Sequence, residues 1–189
     1  MKKRVIILNA ILFSLATWGI IWAFISGGFL YYRYFTNQSV LLVWFSSIFY
    51  FTKYRFHKFY PYLSTISLVS IFITMTGFHI LLNVPTMTLH FQLTHTIIPI
   101  TYISYFYMII EKTIPIKRLW STLIHPLLYV CIFLIYGSIS GWYPYPFLDA
   151  STQSLESILI FILLILFPIY TIISFVLIYI KNKIPHYEK

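Results

Sequence analysis

The chain has 189 residues, 60% of them hydrophobic and 21% aromatic, with only 9% charged and a formal net charge of +9. So apolar a composition excludes a water-soluble domain, and the single cysteine, Cys131, excludes an internal disulfide. The basic residues border apolar runs instead of forming one continuous stripe, so no nucleic-acid partner is expected.

Six apolar segments approach or exceed the roughly 20 residues needed to cross a hydrocarbon core of about 30 Å. The first, Val5 to Phe24, follows Lys2, Lys3 and Arg4 as the core of a signal peptide would. It is too long for one, and no small-x-small site closes it before Gly27 and Gly28, so it is read as a mature span. Phe35 to Phe51, Leu63 to Leu82 and Thr94 to Ile110 follow, then Leu119 to Tyr136 and Leu155 to Ile180. Pro99, Pro126 and Pro168 should bend the last three, and the bends need hydrogen-bond partners inside the bundle. Gly137 and Gly141 form a small-xxx-small pair suited to close helix contact. Cys131 is read as a small core residue.

Twelve of the thirteen Lys and Arg residues fall in four clusters: Lys2, Lys3 and Arg4; Lys53, Arg55 and Lys58; Lys112, Lys117 and Arg118; and Lys181, Lys183 and Lys189. Alternate connections thus carry the positive charge, the pattern that translocation imposes, and both termini are placed in the cytoplasm. The expected fold is all-α: one domain, residues 1–189, forming a polytopic six-span transmembrane helix bundle with membrane lipids as its partners. Nothing in the sequence sets an oligomeric state.

Arg33 is the remaining cation, and it introduces the polar string Thr36, Asn37, Gln38 and Ser39 on the outer side. Two further outer connections bring His90 and His95, with His79 nearby, and the string Trp142 to Asp149 followed by Glu156. Polar groups beside hydrocarbon are costly unless paired or functional, so a site is expected in this outer layer. Thr36, Ser39, Val43 and Ser47 share one helical face, as do His95, Pro99 and Tyr102, which allows Thr36 and His95 to meet. Plainer roles exist for each: Thr36 or Asn37 as a helix cap, His95 as a buried hydrogen-bonded ring, Arg33 snorkelling to phosphate, and Tyr143, Tyr145 and Phe147 as interfacial anchors. His125, before Pro126 at the inner end of the fifth segment, is assigned to packing.

The order Tyr34-Phe-Thr-Asn-Gln-Ser39, His95-x-x-x-Pro99, Pro126-x-x-Tyr129 and Tyr143-Pro-Tyr-Pro-Phe-Leu-Asp149 resembles the Pr-six-Pr family of bacterial integral membrane proteins. That family is similar to the androgen-induced and androgen-dependent membrane hydrolases of animals, which cleave fatty acid esters of hydroxy fatty acids. The resemblance covers nearly the whole chain and implies a bacterial plasma-membrane protein with Thr36 and His95 as its catalytic pair. Val40 stands where bacterial relatives commonly carry Asn.

The expected chemistry is lipid-ester hydrolysis without a cofactor. A Thr hydroxyl needs a base to take its proton, and an imidazole suits that role near neutral pH. Asn37, Gln38 or backbone amides would hold the oxyanion, Arg33 a substrate carboxylate or phosphate, and Asp149 would orient His95. Ser39, His90, Tyr143 and Tyr145 complete the expected site. Two other readings remain open: a zinc-dependent hydrolase using His79, His90 and His95 with Asp149 or Glu156, and a non-enzymatic lipid-binding or transport-associated protein.

Overall fold

The computed structural model describes residues 3–81, 88–111 and 113–184; Lys2, Lys112, Lys189 and residues 82–87, the start of a connection expected on the outer side, lie outside them. Among the described residues there is no strand. Helix α1 runs Lys3–Gly27 and passes through a 3-10 turn, Gly28–Arg33, into α2, Phe35–Phe51. A second 3-10 turn, Lys53–Phe56, leads to α3, Tyr60–Leu81. Helix α4 is built of Leu89–Gln92, a π-turn at Leu93–Ile97, and Ile98–Ile109. A 3-10 helix, Ile116–Leu123, runs directly into α5, Ile124–Ser140. Helix α6 comprises Leu155–Phe161, a π-turn at Ile162–Leu166, and Phe167–Lys183.

Polar contacts fix how these helices run. Asn9 Nδ2 donates to the Ser47 carbonyl at 3.1 Å and Trp44 Nε1 to Thr17 Oγ1 at 2.9 Å, so α1 and α2 are antiparallel. Tyr60 donates to the Ser46 carbonyl and Ser67 to that of Leu42, which sets α3 antiparallel to α2. Ser46 Oγ lies 2.8 Å from the Tyr102 hydroxyl, and Thr36 meets His95, so α2 and α4 run in parallel. Lys181, almost fully buried near the end of α6, donates to the Tyr107 carbonyl in the last turn of α4. A cation there meets the carbonyls left unpaired at a helix C-terminus.

Among the described residues four segments are long and apolar enough to cross a membrane: Lys3–Arg33, Tyr60–Ile80, Ile116–Ser140 and Leu155–Lys183. The remaining two helices are the inner ones. With 17 residues α2 is about 25 Å long. It buries Asn37, Ser39, Ser46 and Ser47 against its neighbours, so it needs no continuous apolar surface. The outer helices do the reverse. Ile7, Ile11, Trp18 and Ile21 of α1 and Leu159, Leu163, Leu164 and Ile172 of α6 are all exposed, an apolar exterior far beyond that of soluble monomers and suited to hydrocarbon.

The predicted bends take two forms. Pro99 and Pro168 each follow a π-turn by two residues, and the amides of Ile98 and Phe167 reach back five residues to the Leu93 and Ile162 carbonyls. A proline ring collides with the carbonyl four residues before it, and one widened turn relieves that collision without breaking the helix. Pro126 instead is the third residue of α5, just past the change from 3-10 to α-helical winding, with no widened turn before it.

Candidate functional site

Thr36 is the second residue of α2. The cap residue is Tyr34, with no side-chain capping bond, so neither Thr36 nor Asn37 caps this helix. The amides of Asn37 and Gln38 turn back onto the preceding 3-10 segment, donating to the Tyr31 carbonyl at 2.7 Å and the Tyr32 carbonyl at 2.9 Å. They lock the turn that aims Thr36. Ser39, fully buried, bonds the Phe35 carbonyl one turn earlier in its own helix. Val40 packs beside Gly19 of α1, an apolar contact.

Thr36 Oγ1 lies 3.0 Å from His95 Nε2, in the π-turn of α4. The other ring nitrogen, Nδ1, lies 3.1 Å from the Phe91 carbonyl and 3.0 Å from Thr94 Oγ1. A carbonyl only accepts, and Thr94 already donates to the His90 carbonyl at 2.9 Å. Nδ1 therefore carries the proton and Nε2 its lone pair, which assigns Thr36 as donor to His95. The imidazole is also held from the side, by Phe78 of α3 stacked at 3.9 Å between ring centroids.

Thr36 and His95 open into one cavity of about 60 Å³, well above the ~10–15 Å³ that a single water needs. Its lining comes from α2, α3, α4, α5, α6 and the loop after α5. Thr74, Tyr129, Tyr145 and Tyr170 are the other polar residues on its walls, and Ile73, Val130, Leu148 and Leu166 supply apolar surface. Tyr129 donates to the Arg33 carbonyl at 2.8 Å. Tyr145, stacked flat on Phe147 at 5.3 Å and with its ring 6.2 Å from that of Tyr129, lines the same cavity as Phe35 and Thr36.

Other expected residues lie elsewhere. Arg33 sits over the rings of Tyr136 at 4.8 Å and Trp142 at 5.4 Å, a cation-π clasp at the loop edge. Asp149 Oδ1 accepts from the Ser151 amide and hydroxyl at 2.8 and 2.6 Å, closing its own turn. The place beside His95 Nδ1 that Asp149 was expected to fill belongs to the Phe91 carbonyl. His90 stacks on Trp22, and His79 bonds Thr96. Among the described residues, no three His, Cys, Asp or Glu side chains gather to hold a metal ion. The Tyr143 ring occupies the notch over Gly137, where a Cβ would stand 2.1 Å from it, so this glycine accommodates a ring of its own following loop. Gly141 ends α5 in the left-handed conformation at φ 72°, which a glycine adopts without strain.

His125 corrects the sequence reading. It is not remote from the polar string of α2: Ser70 lies 2.8 Å from Nδ1, Gln38 Oε1 lies 3.4 Å from Nε2, and Phe35 stacks on the ring at 4.8 Å. The fifth helical segment begins at Ile116, and its 3-10 start climbs about 2.0 Å per residue, so His125 stands near mid-height beside the middle of α3. The aromatic loop is a second revision. Pro144 and Leu148 are buried and Tyr145 and Phe147 line the cavity, so this string folds inward beyond an interfacial belt.

No family model, curated protein or solved structure matches the chain. The site therefore stands on its own geometry. Phe91, Thr94, Phe78, Thr74 and Tyr170 contribute to it without having been singled out in the sequence. Thr94 adjoins His95 and Phe91 lies one turn before it, a spacing that could have pointed to both.

Proposed function

We propose that the chain is an integral membrane lipid-ester hydrolase of six spans with both termini in the cytoplasm, whose nucleophile is Thr36 and whose base is His95. The basic clusters supply the orientation, and the inner helices α2 and α4 would complete the six spans, covered by the four longer segments. The resemblance to the Pr-six-Pr family points to the same pair and to an ester of a fatty acid.

The observation that carries the proposal is the 3.0 Å contact from Thr36 Oγ1 to a His95 Nε2 whose lone pair is free to accept. In acylation, Thr36 Oγ attacks the ester carbonyl carbon as its proton passes to Nε2. The tetrahedral intermediate collapses, the carbon–oxygen bond to the alcohol breaks, and His95 protonates the departing alkoxide. In deacylation, water attacks the acyl-Thr36 carbonyl and gives a proton to Nε2. The fatty acid leaves, and His95 returns that proton to Thr36. The Phe91 carbonyl steadies the imidazolium that forms twice in this cycle. The apolar cavity walls take up hydrocarbon next to the carbonyl.

A fluorophosphonate probe tests the assignment. It should label the purified wild type in detergent and fail to label a folded Thr36→Ala variant. Absence of wild-type labelling, with no hydrolysis of a panel of ester lipids, would leave a lipid-binding protein without turnover as the better reading.

A further inference from the structure

Attack by Thr36 on an ester places negative charge on the former carbonyl oxygen, and in a low-dielectric cavity that charge needs donors already in position. The side chains next to Thr36 in sequence do not point to this task. Asn37 and Gln38 both spend their amides on the carbonyls of Tyr31 and Tyr32. Within α2, the amides of Asn37 and Gln38 both bond the Tyr34 carbonyl. Ahead of them are the amides of Phe35 and Thr36, in the first turn, where a helix offers N–H groups without intrahelical partners.

Tyr145 comes to this spot from a different part of the chain. It lines the cavity together with Phe35 and Thr36, the residues that carry those two amides, and its ring stands 6.2 Å from that of Tyr129 between centroids. Tyr129 spends its own proton on the Arg33 carbonyl, so its oxygen can accept the Tyr145 proton while the site is empty. A separate observation bears on this cavity: Thr74, only 5% exposed, lines it, and its hydroxyl has no partner among the described residues. A buried hydroxyl left unpaired costs stability, unless a ligand oxygen completes it.

We propose that Tyr145 is a catalytic residue, the side-chain donor of an oxyanion hole whose other donors are the first amides of α2, and that this hole accepts the carbonyl oxygen of a carboxylic ester. When Thr36 attacks, the Tyr145 O–H turns from Tyr129 to the forming oxyanion. It gives up no proton, and it releases the oxyanion when the carbonyl reforms. This assignment rests on the Thr36–His95 reading but involves a different atom and a different step.

The test compares wild type with Tyr145→Phe, which keeps the ring stacked on Phe147 and removes only the hydroxyl. Acylation is followed with a fluorophosphonate probe and turnover with p-nitrophenyl esters, both on purified protein. Loss of one oxyanion donor should lower kcat and the labelling rate roughly 10²-fold with KM unchanged. A residue that merely packs would change KM or thermal stability and leave kcat in step with them. If wild type labels and Tyr145→Phe labels equally fast, the oxyanion assignment falls and the nucleophile stands. Failure of the wild type to label or hydrolyse overturns both. Should the Phe variant not fold, 3-fluorotyrosine at position 145 keeps the shape and alters donor strength; an acylation rate indifferent to it overturns the proposal.

Discussion

Phe78 lies almost parallel to the His95 ring, with centroids 3.9 Å apart and planes inclined by 25°. A flat aromatic face against an imidazole fixes its tilt and favours the cation that the proposed mechanism forms when Thr36 gives up its proton. Replacing Phe78 by Leu keeps an apolar side chain in the same pocket but removes this face. Labelling by a fluorophosphonate should slow more than the loss in thermal stability explains. Phe78→Ala should in addition destabilise the fold by about 3 kcal/mol, the usual cost of emptying an aromatic core position.

His95 and Thr36 separate in their tolerance. Thr36→Ser leaves the Oγ in place and should still be labelled, whereas Thr36→Ala should not. His95→Asn should lower turnover roughly 10²- to 10⁴-fold, the range contributed by a positioned base. Equal rates for His95→Asn and wild type would remove His95 from the mechanism.

Thr74 predicts a trade of stability against binding. Its buried hydroxyl lacks a partner, so Thr74→Val, with nearly the same shape, should stabilise the ligand-free protein by about 1 kcal/mol. The same change should raise KM for esters, because it removes a wall group from the cavity. Thermal unfolding in detergent and steady-state kinetics read the two effects separately.

Gly137 and Tyr143 should behave as a coupled pair. A methyl group at Gly137 would meet the Tyr143 ring at 2.1 Å and push the loop that carries Tyr145. Gly137→Ala is expected to cost about 1 to 3 kcal/mol as an overpacked site and to reduce turnover. Adding Tyr143→Leu should restore part of both losses, and a double-mutant cycle that sums to zero coupling would show the two residues to be independent.

Much of this site was legible in the sequence because it depended on spacing. Thr36 and Ser39, or His95 and Pro99, needed only helical periodicity to be placed on common faces, and the alternation of basic clusters suggested matching depths. Other parts had no such signal. The aromatic loop from Trp142 to Asp149 has no repeat that says which rings turn inward, and Pro144 and Leu148 are buried, Leu148 in a cavity lined by distant helices. His125 was misplaced because a hydropathy window starts the fifth segment at Leu119, after Lys117 and Arg118, whereas the helix begins at Ile116. Pro99 announced a distortion, but a kink and a widened turn leave the same trace in sequence. Asp149 is expected beside His95 from sequence because nothing there shows that it closes an irregular turn onto Ser151, two residues away.

The widened turn at Leu93–Ile97 makes the site depend on a count as well as on chemistry. A π-turn holds one residue more than the helix around it requires, so deleting Thr96, for instance, would let α4 close into a regular helix. The two flanks of the helix would keep their facing, because the extra residue is what the widened turn absorbs, and the change would fall on the turn itself. His95 lies inside that turn, so its ring would leave the position from which it meets Thr36. The alignment proposed for catalysis is thus written into chain length, and a gap of one residue would disturb it while every proposed functional side chain remained present.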